Sequence, residues 1–163
     1  MESRDVLRLA AAAPERQVAA GDAIISYGEA EPALFVLVSG ALEVQREGTA
    51  IARLSDPGAI VGELSLLLGT PASADVVAVE PSVVRRLDDA ERLFRDVPEF
   101  GRHLAVTLAS RLHRVTTFLG DLQEQFADRP GTLGLVPIVL SGLLSQGPGD
   151  VDLGSDREPD APY

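Results

Sequence analysis

The chain has 163 residues, 45% of them apolar and 4% aromatic, with a formal net charge of −11. That size suits one ordinary domain with helical additions, its core filled by Leu, Val and Ala rather than by aromatic rings. The absence of Cys excludes disulfides, thiolate chemistry and Cys-ligated metals. The acidic balance argues against nucleic acid as a partner, because duplex binding needs clustered cations and all fourteen basic residues are scattered Arg.

Residues 1–16 are expected to hold a short leading helix, its Ala/Leu-rich run from Val6 to Ala13 ending near Pro14. Met1 to Asp5 has no apolar core after a basic start, so no signal peptide is read there. From residue 17 to 89 the pattern turns to short β-prone runs: Ala23–Ile25, Leu34–Val38, Leu42–Val44, Ile51–Leu54, Val76–Val79 and Val83–Leu87. They alternate with turn signals at Gly21-Asp22, Ser39-Gly40, Glu47-Gly48, Asp56-Pro57-Gly58 and Glu80-Pro81. Many short strands around tight turns predict a β-sandwich or barrel, of which the jelly roll is one form.

Residues 90–128 read as helical. Ala90 to Asp96 forms a short helix stopped by Pro98, and a long helix covers 100–127. Along it Ala105, Leu108, Leu112, Val115, Leu119, Leu122 and Phe126 recur at alternating intervals of three and four, the spacing of a coiled-coil seam. A seam this long outlasts what one small roll covers, so a homodimer through this helix is expected. Asp128-Arg129-Pro130-Gly131 breaks the helix. Residues 129–146 carry an apolar terminal helix, whose run from Leu133 to Leu144 is too short and too interrupted to span a bilayer. Residues 147–163 form an acidic, Gly/Pro-rich tail expected to be disordered. The expected location is the cytoplasm.

The run from Val61 to Val76, Val-Gly-Glu-Leu-Ser-Leu-Leu-Leu-Gly-Thr-Pro-Ala-Ser-Ala-Asp-Val, is the most informative stretch. Within segment 58–76 it resembles the phosphate-binding cassette of cyclic-nucleotide-binding domains, with the pattern Φ-G-E-Φ-A-Φ-Φ-x-G-x-P-R-x-A-T-Φ. Val18–Glu29 is similar to the opening hairpin of that family, Ala33–Val44 to its next strand, turn and strand, and Asp56–Glu63 to the approach to its cassette. The resemblance runs from Gln17 to about Glu124 and implies a mainly β fold, a catabolite-activator-like jelly-roll β-barrel with flanking helices and a long dimerisation helix. It further implies that Glu63 accepts a hydrogen bond from a ribose 2′-hydroxyl and that Gly62, Ser73 and Ala74 offer backbone donors to a cyclic phosphate. Leu64 and Ser65 begin a helical turn whose N–H groups face an anion.

Two residues depart from the pattern. Ala72 stands where the family places its phosphate-pairing Arg, and Asp75 where it places a small hydroxyl residue. A bidentate Arg–phosphate pair is the strong contact of such sites; losing it forfeits about 1.5–3 kcal/mol. A carboxylate about 4 Å from a phosphodiester adds repulsion of roughly 4 kcal/mol at an effective dielectric near 20. Tight conventional cAMP binding is therefore not expected. Either another guanidinium, Arg53 or Arg111, replaces the lost one, or the pocket takes a different ligand, or it is empty and the domain is a scaffold.

No catalytic constellation is read. His103 and His113 are ten residues apart on a helix, which suits no single-metal site, and Ser110 has no nucleophile elbow. Asp88-Asp89 before Glu91 reads as a helix N-terminus rather than a metal cluster. Thr116 and Thr117, near where dimerising family members present hydroxyls to a purine, read as surface threonines. No metal, no resident cofactor and no enzymatic activity is expected, and a cyclic nucleotide is the ligand the resemblance suggests. With neither a winged helix nor a channel segment in the sequence, a protein partner is expected to supply the output.

Overall fold

The computed structural model describes residues 1–30 and 33–125, with side chains described as far as Asp121. Phe126 of the expected seam, the apolar segment 129–146 and the tail 147–163 lie outside the described residues, as do the side chains of Leu122 to Gln125. The described elements fall into two units, Met1–Ala105 and the chain from Val106 onward.

In the first unit the chain runs α1 (Ser3–Leu9), a 3₁₀ turn (Ala10–Ala12), then β1 (Glu15–Val18), β2 (Ala23–Ile25), β3 (Leu34–Ser39), β4 (Leu42–Arg46), β5 (Thr49–Leu54) and β6 (Ile60–Val61). There follow α2 (Glu63–Leu68), β7 (Asp75–Ala78), β8 (Ser82–Leu87), α3 (Ala90–Asp96) and the start of α4 (Pro98–Gln125). The strands make two four-stranded antiparallel sheets, β1-β8-β3-β6 and β2-β7-β4-β5. This is the jelly-roll-like core expected from the sequence.

Alternation sorts the side chains. Phe35 and Leu37 of β3 join Val18, Ile24, Leu42, Val61, Val76, Ala78 and Val84 in one buried cluster drawn from strands of both sheets. Leu34 and Val36 point by alternation to the opposite face of β3 and are also buried, where α1 lies against the strand. α1 is held by Val6, which is buried, and the 3₁₀ turn after it by Arg85 of β8, whose Nη1 donates to the carbonyls of Ala11 (2.6 Å) and Ala13 (2.9 Å). Phe100 and Leu104, in the first turns of α4, are buried too, and the Phe100 ring lies 5.5 Å from that of Phe94.

Several boundaries differ from the sequence reading. The leading helix starts at Ser3 and tightens into a 3₁₀ turn after Leu9, rather than running from Val6 to Ala13. Pro98 both ends α3 and opens α4, where a missing N–H leaves no intrahelical bond unmade. Asp89 caps α3 by accepting from the Arg92 N–H at 3.3 Å, with Glu91 in the first turn. The β4–β5 hairpin turns on Glu47 and Gly48, both at positive φ, as a tight right-twisted hairpin needs.

In the second unit α4 carries Leu112 and Val115 at 54% exposure and Phe118 at 61%. The Thr116 hydroxyl donates to the carbonyls of its own helix, Leu112 at 3.0 Å and His113 at 2.9 Å. Among the described residues no helix is long and apolar enough to cross a membrane.

Candidate functional site

The site is built where β6 hands over to α2. Gly62 sits at φ +89 and ψ −2, the left-handed conformation that reverses the chain out of the strand and starts the helix. A Cβ there would collide with the Ala33 carbonyl oxygen and lie 3.3 Å from the Ile25 side chain. Only glycine fits, on both conformational and steric grounds. Glu63, the first residue of α2, is 3% exposed. Among the described residues no buried side-chain nitrogen or oxygen lacks a partner, so this carboxylate is not stranded. α2 spans six residues and ends at Gly69, also left-handed, with its last carbonyls bonded through Ser65 O to the N–H groups of Gly69 and Thr70 (3.1 Å). Leu64, Leu67 and Leu68 turn outward and are about half exposed.

The returning strand closes the other side. Ala72 is 7% exposed, and both its backbone groups are engaged: its N–H donates to Glu29 O at 2.9 Å and its carbonyl accepts from the Gly28 N–H at 2.8 Å. Ile25, Glu29, Ala33, Phe35, Gly62, Ser65 and Ala72 line a nick of about 10 Å³, space for one water at most. A methyl at position 72 fills little, and among the described residues no Arg lines this nick.

Asp75 takes a part that the sequence reading did not assign to it. Its Oδ1 accepts from the Tyr27 N–H at 2.8 Å, tying the turn after β2 to the start of β7. The same turn is braced internally by the Ser26 N–H donating to Glu29 Oε2 at 3.0 Å. From the other flank, Arg46 Nη1 donates to the Ser73 carbonyl at 3.0 Å, and its guanidinium carbon lies 5.0 Å from the Tyr27 ring centroid. Strand pairing makes this meeting possible: β7 lies between β2 and β4, with Ile25 opposite Val76 and Gln45 opposite Asp75.

Of the expected site residues, Gly62, Ser65 and Ala72 line this nick; Glu63 is buried at the start of α2, Leu64 faces outward, and Ser73, Ala74 and Asp75 continue the chain from Ala72 into β7. Arg53, one of the two guanidiniums expected to replace the missing one, is instead 3.7 Å from Glu80. Tyr27 and Arg46 were not read from the sequence as site residues. The only signal for them was non-local, since their approach depends on which strands neighbour β7.

Residues 15–95 match the profile of the cyclic nucleotide-binding domain. The roll belongs to this family. Over 108 residues the chain is 31% identical to the cAMP-dependent protein kinase regulatory subunit of Yarrowia lipolytica (strain CLIB 122 / E 150), covering 66% of this chain and 28% of that protein. It is 32% identical over 108 residues to the Pycsar effector protein XpPycTIR of Xanthomonas perforans, covering 64% of this chain and 35% of that one. The chain thus spans about a third of the length of these curated relatives. Among solved structures, the catabolite activator protein of Thermus thermophilus matches with a TM-score of 0.62 at 25% identity, over 86% of this chain and 83% of that one. A protein from a cyclic-GMP-dependent signalling pathway that regulates bacterial phytopathogenesis matches with a TM-score of 0.59 at 27% identity, over 70% and 95% respectively. The segment that resembles the family's phosphate cassette lies between β6 and β7.

Proposed function

We propose that the chain is a non-enzymatic, cytoplasmic sensor that holds a nucleotide-like ligand beneath Gly62 and Glu63, and that it works as a homodimer with a protein partner supplying the output. The observation that carries this reading is Glu63. A carboxylate at 3% exposure, at the first residue of a six-residue helix behind a left-handed glycine, is a rare placement for a Glu. It matches the family's place for a ribose acceptor. The dimer rests on α4: Leu112 and Val115 of its coiled-coil spacing are more than half exposed.

With Ala72 in the place of the cassette Arg, conventional cAMP binding is weakened by about 1.5–3 kcal/mol, roughly ten- to a hundredfold in affinity. A ligand switches such a module only if it binds one state better than the other. The second reading is a dimeric scaffold that kept the fold and lost the ligand. The narrowness of the nick beside Ala72, about 10 Å³, favours it.

Titration calorimetry with cAMP and cGMP separates the two. Submillimolar binding that disappears in Glu63→Ala supports the sensor. Silence for every nucleotide, with the roll intact by thermal melting, leaves the scaffold.

A further inference from the structure

Among the described residues Arg8, Arg53, Arg85, Arg86 and Arg92 are ion-paired. Arg53 faces Glu80, and Arg85 is bonded to Glu15 at 2.9 Å and to the carbonyls behind α1. Arg46 differs. It ends β4, it touches the cassette segment through the Ser73 carbonyl, and no carboxylate among the described residues lies within ion-pairing distance of it.

We propose that Arg46 is the anion anchor of this cassette, binding the phosphodiester of a cyclic nucleotide from the β4 side in place of the guanidinium that Ala72 lacks. This rests on the reading that the cassette holds a nucleotide.

Three observations support it. First, position: Gln45 pairs with Asp75 across β4 and β7, so Arg46 roots beside the Ser73–Asp75 backbone, where the resemblance places donors to a cyclic phosphate. Second, capacity: a guanidinium carries five N–H donors in a planar fork. Here one nitrogen holds the Ser73 carbonyl, leaving the remaining donors for phosphate oxygens. Third, orientation: the Tyr27 ring, 5.0 Å away, gives the plane of the guanidinium a platform, so little side-chain freedom is lost on binding. Tyr27 is itself held by its N–H bond to Asp75. That bond accounts for an acidic residue in an anion cassette. Asp75 positions the platform, and Arg46 supplies a positive charge at this edge against the carboxylates of Asp75 and Glu29.

The alternative is that Arg46 is only a strut between β4 and the cassette loop. Calorimetry on the full chain with the four 3′,5′-cyclic mononucleotides, alongside melting without ligand, decides between them. Wild type is expected to bind at least one of the four. Arg46→Ala should weaken that binding ten- to a hundredfold, and Arg46→Lys, which keeps the charge without the fork, should fall between. Arg46→Gln keeps a donor for the Ser73 carbonyl, so it tests the charge even if Arg46→Ala melts early; its affinity should fall at least tenfold while its melting point stays near wild type. Should Arg46→Ala or Arg46→Gln bind within twofold of wild type while Glu63→Gln loses binding, the anchor is overturned and the sensor stands. Should wild type bind none of the four, the sensor reading fails and the anchor with it.

Discussion

The two edges of the cassette are held by different kinds of constraint. At the leading edge, Gly62 is fixed by backbone geometry: a positive φ and a carbonyl oxygen where any Cβ would sit. At the trailing edge, Ala72 to Asp75 is fixed by hydrogen bonds from residues far along the chain, Gly28, Glu29, Tyr27 and Arg46. A steric constraint admits one residue type. A hydrogen-bonded edge admits many, provided the partners change with it. This is why the roll of a cyclic nucleotide-binding domain can keep its shape while the residues along its trailing edge vary.

The most severe way to break that contrast is Gly62→Ala. The left-handed conformation costs about 1–2 kcal/mol for a residue with a Cβ. The collision with the Ala33 carbonyl adds the further 1–3 kcal/mol typical of overpacking. A fall in melting temperature of roughly 10 °C or more follows, at about 4–8 °C per kcal/mol for a domain of this size. Gly48→Ala is the control. It has φ +75 in the β4–β5 hairpin with nothing within 4 Å of an added Cβ, so only the conformational cost of about 1–2 kcal/mol applies. Equal losses at both positions, by thermal melting, would show that the leading edge is not sterically locked.

This division also explains what was legible in the sequence. The roll could be read because its glycines mark turns locally and its apolar runs alternate. Gly62 and Glu63 could be read because they lie side by side in one pattern. β1 escaped because Glu15, Arg16 and Gln17 are exposed and only Val18 faces the core. β6, at two residues, is too short to show any period. Asp75 was legible only as a misplaced charge, because its partner is the backbone of Tyr27, 48 residues earlier. Arg46 ends a strand among other charged residues and becomes distinctive only once β4 lies beside β7. The period of α4 was visible along the sequence, and of its members Leu112 and Val115 are more than half exposed.

That seam gives the second prediction. If the exposed apolar face of α4 meets its twin, placing a charge at its centre in Leu112→Glu/Val115→Glu should convert a dimer to a monomer in sedimentation velocity. The roll should melt as before, because Leu112 and Val115 are not part of its core. A wild-type chain that already sediments as a monomer at tens of micromolar would remove the dimer from the proposal.

A third test bears on the weakened nucleotide binding proposed above. Ala72→Arg puts a guanidinium where the resemblance places one, next to the Gly62–Glu63 edge. It should tighten cAMP binding by about 1.5–3 kcal/mol, roughly ten- to a hundredfold. Calorimetry reads this directly, and the gain must vanish in the double variant with Glu63→Ala. If affinity does not rise, the nick around Ile25, Phe35 and Ser65 is too tight for an anion to enter, and the narrowness of the site outweighs its missing charge.

The smallest effect separates the two roles of Asp75. As the acceptor for the Tyr27 N–H at an exposed turn, it contributes about 0.5–1.5 kcal/mol. Asp75→Ala should therefore lower the melting point by only a few degrees, while the Tyr27 amide exchanges its proton measurably faster. Were its charge the dominant feature, Asp75→Ala would instead strengthen anion binding strongly and leave Tyr27 protected. Combining it with Ala72→Arg makes the distinction quantitative, because neighbouring residues show coupling that distant ones do not. A guanidinium at position 72 has a choice between a ligand phosphate and the Asp75 carboxylate. If Asp75 is held by Tyr27, removing it changes the Ala72→Arg gain little, because the carboxylate was never competing for the new guanidinium. If the gain grows severalfold in the double variant, Asp75 is free to capture that guanidinium, and the hydrogen bond to Tyr27 does not hold it in solution.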